Sequence, residues 1–166
     1  PVVMGYYFND AMTSAGSTIT GVLHKPAFHR DTFDNKNVQA RRASGYNANI
    51  KILQDAALAA GHFSPWIDND GVIRRIPMVI EYQGNYYESL SLVMARVLLG
   101  VEQTKPVFEE GYDADYAALE KLSLEYLDIP VDKNLQAIIP YRGKERSFPY
   151  VSATDVIHGR VDKKIL

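Results

Sequence analysis

The stretch "WIDNDGVIRRIPMVIEYQGNYYESLSLVMARVLLG", Trp66 to Gly100, constrains the fold more than any other part of the chain. Turn chemistry at "DNDG" and "QGN" separates extended pieces, which together with the preceding "HFSPWI" read as a β-meander. Ser89 then caps a helix whose Leu90, Val93, Met94, Val97 and Leu98 fall at i, i+3, i+4, i+7 and i+8, with Gly100 as its stop. A meander that runs straight into an amphipathic helix needs a helix layer laid on a sheet, because each element has an apolar face to cover.

The rest of the chain extends that layout. "PVVMGYYF", Pro1 to Phe8, is apolar almost throughout and suits a central strand covered on both faces. From Asn9 to Tyr46 the pattern dissolves into polar residues, with one short strand expected in "STITGVLHKPAF". Asn47 is placed to cap a helix over Ala48–Ala60, striped by Ile50, Leu53, Ala57 and Ala60 and stopped by Gly61. A further helix is expected over Asp115–Leu127, ending before Pro130. "LQAIIPYRG" reads as a strand, and "SATDVIHG" as a short helix with Ser152 and Asp155 at capping-box spacing. The resulting expectation is an α/β protein, a layered α/β/α domain with a mixed sheet that includes the meander, and residues 1–166 read as one domain.

Composition narrows the function classes. Charged residues make up 23% and the net charge is −2, with both signs interspersed, so there is no basic footprint for nucleic acid. There are no cysteines, which removes disulfides, thiolate zinc sites and cysteine nucleophiles together. No run reaches the roughly 18 apolar residues of a membrane span, and no signal-peptide pattern opens the sequence. The chain starts without Met inside an apolar run and stops at "DKKIL", so it reads as a fragment.

The acidic corner is the first candidate for chemistry. Strand alternation puts Val72, Arg74, Ile76, Met78, Ile80 and Tyr82 on one face, and an arginine on so apolar a face must find acceptors. Asp68 and Asp70 are the nearest, and Gly71 supplies the positive φ of a tight turn, so a turn closed by an Asp to Arg bridge explains all four residues. Calcium is disfavoured, because Val72, Ile73, Arg74 and Arg75 follow where an EF-hand-type loop needs more oxygen ligands and a distal Glu. Arg74 and Arg75 could instead clamp an anion, since guanidinium forks suit carboxylates and phosphates.

Other candidates are thinner. None of the four histidines has a partner at metal-pair spacing, so they read as surface or turn residues. No G-x-S-x-G, P-loop or G-x-G-x-x-G occurs, and neither a catalytic residue, a metal nor a cofactor is expected. Asp113 and Asp115 suit a helix start. The eleven tyrosines read mainly as sheet packing. Tyr141 and Arg142 lie beyond a predicted strand end, where α/β folds tend to hold ligands, and join Arg74 and Arg75 as binding candidates.

The ordered set of segments "AAGHFSPWIDNDGVIRRIPMVIEYQGNYYESLSLVMARVLLG", "IPVDKN", "AIIPYRG" and "SFPYVSATDVIHGRV" resembles the type-two CHASE domain, the cyclase- and histidine-kinase-associated sensory extracellular family. The likeness is strong from Ala59 onward and weak over Asn9 to Tyr46. It implies an extracytoplasmic sensor on the periplasmic side of bacterial membrane receptors, whose outputs are adenylate or diguanylate cyclases, histidine kinases or serine/threonine kinases. It also implies flanking transmembrane helices, N-terminal elements and a following apolar strand that this fragment does not include. Asp68, Asp70, Gly71, Arg74 and Arg75 carry over as a signature without an assigned role. The expected function is non-catalytic sensing of an unknown small-molecule or protein signal, relayed by a symmetric homodimer. The alternatives are a strand-mediated structural module and a hydrolase-type domain with its catalytic residues elsewhere.

Overall fold

A computed structural model describes residues 2–10, 18–34, 36–110, 117–144, 147, 149–162 and 164. In chain order its elements are β1 (Val3–Asp10), β2 (Ile19–Thr20), a single 3-10 turn (Arg30–Phe33), β3 (Arg41–Asn47), α1 (Lys51–Ala56), β4 (Ala59–His62), β5 (Arg75–Pro77), β6 (Val79–Tyr82) and β7 (Asn85–Glu88). They continue with α2 (Leu90–Leu99), β8 (Lys105–Glu110), β9 (Ala117–Ser123), β10 (Asp128–Pro130), β11 (Gln136–Ile138) and α3 (Ala153–Ile157). The fold is mixed α/β around a six-stranded mixed sheet of order β4-β1-β3-β6-β7, with β2 added on β3. β8, β9 and β10 form an antiparallel meander, and β5 pairs with β11.

β1 lies inside the large sheet, parallel to β4 and antiparallel to β3. Its alternation buries Tyr6 and Phe8 on one face, in a cluster with Ala60, Ile80, Tyr82 and Tyr87. The rings meet edge to face, Tyr6 on Phe8 at 5.4 Å and Phe8 on Tyr87 at 5.5 Å, the geometry that aligns ring edge with ring quadrupole. The other cluster joins Val79, Leu92, Leu119, Leu122, Leu124 and Leu135. Val79 and Ile80 are successive residues in different clusters, so β6 is covered on both faces.

α2 begins and ends where its punctuation demands: the Ser89 hydroxyl accepts from Leu92 N, and Gly100 takes the left-handed conformation at φ 69°. Its buried face is rotated from the expected stripe. Leu92 and Val93 are buried, whereas Met94 and Leu98 face outward, because the helix start is pressed onto Gly61 and its last turns bring Ala95 and Arg96 inward. Each fully buried Leu or Val of this kind contributes about 1.5–3 kcal/mol.

Several expectations need correction. The predicted Ala48–Ala60 helix is only Lys51–Ala56, without a side-chain cap, and the side chain of Asn47 bonds to Asn9 and Thr20 from β3. Ile50 and Leu53 are exposed. The small residues that looked helical, Ala59-Ala60-Gly61, form β4, where a slender strand lets α2 approach. The predicted Asp115–Leu127 helix is β9 instead; Asp113 and Asp115 lie outside the described residues. A register shift opposite Val107/Phe108 leaves Glu120 as the extra residue, which spaces buried Leu119 and Leu122 three apart and imitates a helix. The run Val72–Tyr82 is not one strand. It breaks at Met78, sending β5 to β11 and β6 to β3 and β7, so the single-face assignment fails and Arg74 is exposed.

β3 falls in the stretch that looked structureless; its side chains are largely polar, and its backbone pairs with β1, β2 and β6. At α3, Ser152 makes no side-chain cap and Asp155 pairs with Arg160, so the capping box is not formed. His62 is fully buried in β4 beside the Phe8 ring, contrary to the surface or turn expectation, because its register opposite Tyr6 turns it inward.

Candidate functional site

The corner residues come together at the surface. Gly71 N donates to Asp68 O at 2.9 Å and Asp68 N to Val72 O at 3.0 Å, closing a turn with Gly71 at φ 81°. Arg74 spans both carboxylates: Nη1 lies 2.9 Å from Asp68 Oδ2 and 2.9 Å from Asp70 Oδ1, and Nη2 lies 2.7 Å from Asp70 Oδ2. This fork, with a lesser contribution from Val72 N, holds the Asp70 carboxyl below its ordinary range, and the two carboxylates raise the Arg74 guanidinium above its own. Tyr141 donates its hydroxyl to Ile73 O at 2.5 Å, and Ile139 N donates to Arg74 O at 3.0 Å, so the 139–141 segment is fastened to the same bend. Arg75 and Arg142 are exposed, and neither side chain has a hydrogen-bond or ion-pair partner among the described residues. Arg74 therefore spends its fork on its own turn.

A second site, which sequence reasoning missed, is recessed. A cleft of about 360 Å³ is floored by Tyr6 of β1 and Ala60 of β4, walled by His24–Ala27, and closed by Glu88, Arg96 and the 102–104 loop. Glu88 ends β7 and is only 5% exposed, which matters because a carboxylate that deep needs partners. It has them: Thr104 donates its hydroxyl to Oε1, and Arg96 Nη2 lies 3.2 Å from Oε2. Arg96 Nη1 donates to Glu102 O at 2.9 Å, tying α2 to the loop that follows it.

Some groups in the cleft remain unspent. Arg96 Nε is buried with no acceptor among the described residues. The Tyr6 hydroxyl has no hydrogen-bond partner among them either. Burial, followed by the Tyr87 and Glu88 charges, pushes it above its ordinary range, so it stays protonated. The arrangement can bind and orient a small polar molecule in a half-open recess, at the small end of the roughly 300–1,000 Å³ of ligand pockets. None of Asp68, Asp70, Gly71, Arg74, Arg75, Tyr141 or Arg142 lines it. Two signals were legible: Arg96 brings a charge into an otherwise uncharged helix three residues after Val93, and Glu88 stands between tyrosines and the capping serine.

A family model described as the CHASE2 domain matches residues 8–166. Comparison with curated proteins and with solved structures finds no match.

Proposed function

The chain belongs to the CHASE2 family of sensory extracellular domains, and from that premise we propose that it is the ligand-sensing domain of a bacterial membrane receptor with a cyclase or kinase output. It acts on the periplasmic side without catalysis of its own. The observation that carries this reading is the recess closed by the buried Glu88–Arg96 pair, whose walls come from β1, β4, β7, α2 and two loops. A molecule held there touches elements far apart in sequence, so its binding energy favours one relative placement of them over another. Only that difference in affinity is transmitted, and a difference of about 1–3 kcal/mol shifts the balance roughly 5- to 150-fold. A symmetric dimer is the simplest relay from the domain to paired outputs.

The test is the output activity of the intact receptor in membrane vesicles, titrated with fractionated small molecules from growth medium. A saturable change that is lost in Lys25→Gln supports the reading. An output that follows only a partner protein contradicts it. A second reading, strand-mediated pairing, is favoured by one observation: β4 stands at the edge of the large sheet. Strand exchange at β4 in the absence of any small-molecule response would favour that alternative.

A further inference from the structure

We infer that the cleft takes a small organic monocarboxylate. This deepens the sensing reading and rests on it. The argument begins with what the cleft has already spent. Both Glu88 oxygens are engaged, one by the Thr104 hydroxyl and the other by Arg96, so the deepest acceptor is committed to the protein itself. The donors are not. Arg96 Nε–H is fully buried, just beneath the cleft surface, with no acceptor among the described residues, a condition uncommon in folded proteins and relieved when a small shift of the guanidinium brings it to water or a ligand. The Tyr6 hydroxyl opens on the same recess without a partner, and Lys25 and His24 on the facing wall have no ion pair among the described residues. A molecule that fits must therefore bring acceptor oxygens and at least partial negative charge.

The charge it can carry is limited. Glu88 is already paired with Arg96, but Glu102 also lines the cleft and its carboxylate has no ion pair among the described residues, so a phosphate or sulfate dianion would bring its second charge toward an uncompensated negative group. A single negative charge matches Lys25, and the planar carboxylate matches guanidinium and hydroxyl donors. Pro26, Ala27 and Ala60 complete the lining with short apolar surfaces, suited to a small carbon body and too few to cover a long chain.

The experiment is calorimetric titration of the 166-residue chain with propionate, lactate and pyruvate, beside inorganic phosphate, sulfate and alanine. The expected result is saturable binding of at least one monocarboxylate and none of the dianions, weakened roughly tenfold in Lys25→Gln, an exposed position whose substitution leaves folding intact. Tyr6→Phe should weaken it as well, with the melting temperature measured in parallel. Tighter phosphate binding, wild-type affinity in Lys25→Gln, or no saturable monocarboxylate overturns the inference. Alanine binding that depends on Lys25 would overturn the ligand class while leaving the sensing reading intact. A monocarboxylate that binds the chain but does not alter output of the intact receptor would instead overturn the sensing reading and leave the site.

Discussion

Gly61→Ala should loosen both the sheet and the cleft, although it adds only one methyl group. An ideal Cβ at position 61 would lie 2.6 Å from Leu90 Cα, 2.7 Å from Leu90 N and 2.8 Å from Ser89 C. Carbon contacts are comfortable at roughly 3.5–4.0 Å, so the start of α2 would have to retreat by about 1 Å. It is not free to do so, because Ser89, Leu92 and Val93 are buried within the same turn. Overpacking of this kind costs about 1–3 kcal/mol, offset by about 0.4–1 kcal/mol from the stiffer unfolded chain. A net loss of about 1.5 kcal/mol lowers Tm by about 3–6 °C in a chain of this size. Gly5, the register partner of Gly61, is the control: there the close atoms are the Phe63 ring at 2.9 and 3.0 Å and Leu90 Cδ2 at 3.3 Å, all in side chains. Phe63 is half exposed and can swing away, so Gly5→Ala should change Tm by less than about 2 °C. Thermal melts followed by near-ultraviolet circular dichroism decide the matter. Equal melting temperatures for the two variants would refute the close seat of α2 on β4.

Glu88→Gln leaves Arg96 without its counter-charge in a poorly hydrated place and should cost about 2–4 kcal/mol by urea unfolding, with Glu88→Gln/Arg96→Met recovering part of the loss. Additive losses would mean the pair is not coupled. The Asp70 carboxyl is held low when folded, so its stabilising contribution is present above the unfolded value of about 4 and is lost as pH falls through the folded value. The Tm of wild type and Asp70→Asn should therefore converge as pH is lowered through that range, and a constant gap contradicts the Arg74 fork. Burial, then the Arg41 charge, pulls the His62 imidazole down to about 3 from 6.5, so the folded state excludes a proton that the unfolded state accepts in that window. Between those values the folding constant should fall about tenfold for each pH unit of acidification, and His62→Leu should remove that slope.

Much of the scaffold was legible because punctuation and pattern agreed. Ser89 and Gly100 bounded α2, and the apolar run at the N-terminus marked β1 as an interior strand. Errors arose where tertiary structure overrode local pattern. The bulge in β9 turned an alternating strand into a three-residue spacing, and Ala59-Ala60-Gly61 looked helical because the need for a thin strand is set by α2, almost thirty residues on. The turn at Asp68–Gly71 was readable since its partners lie within six residues of each other. The cleft was not, since Tyr6, Lys25, Glu88, Arg96 and Thr104 are neighbours only after β1, β4 and β7 have been assembled. Arg96 on the inward side of an otherwise uncharged helix was the clearer local hint beside Glu88, and the expected stripe placed that side elsewhere.

The most direct measurement is a backbone amide chemical-shift map of the isotopically labelled chain, recorded against a library of small polar metabolites. The account predicts saturable shifts concentrated at residues 24, 25, 27, 88, 96 and 102–104. Shifts centred instead on Asp68–Arg75 and Tyr141–Arg142, or no saturable shifts with any library member, would contradict it.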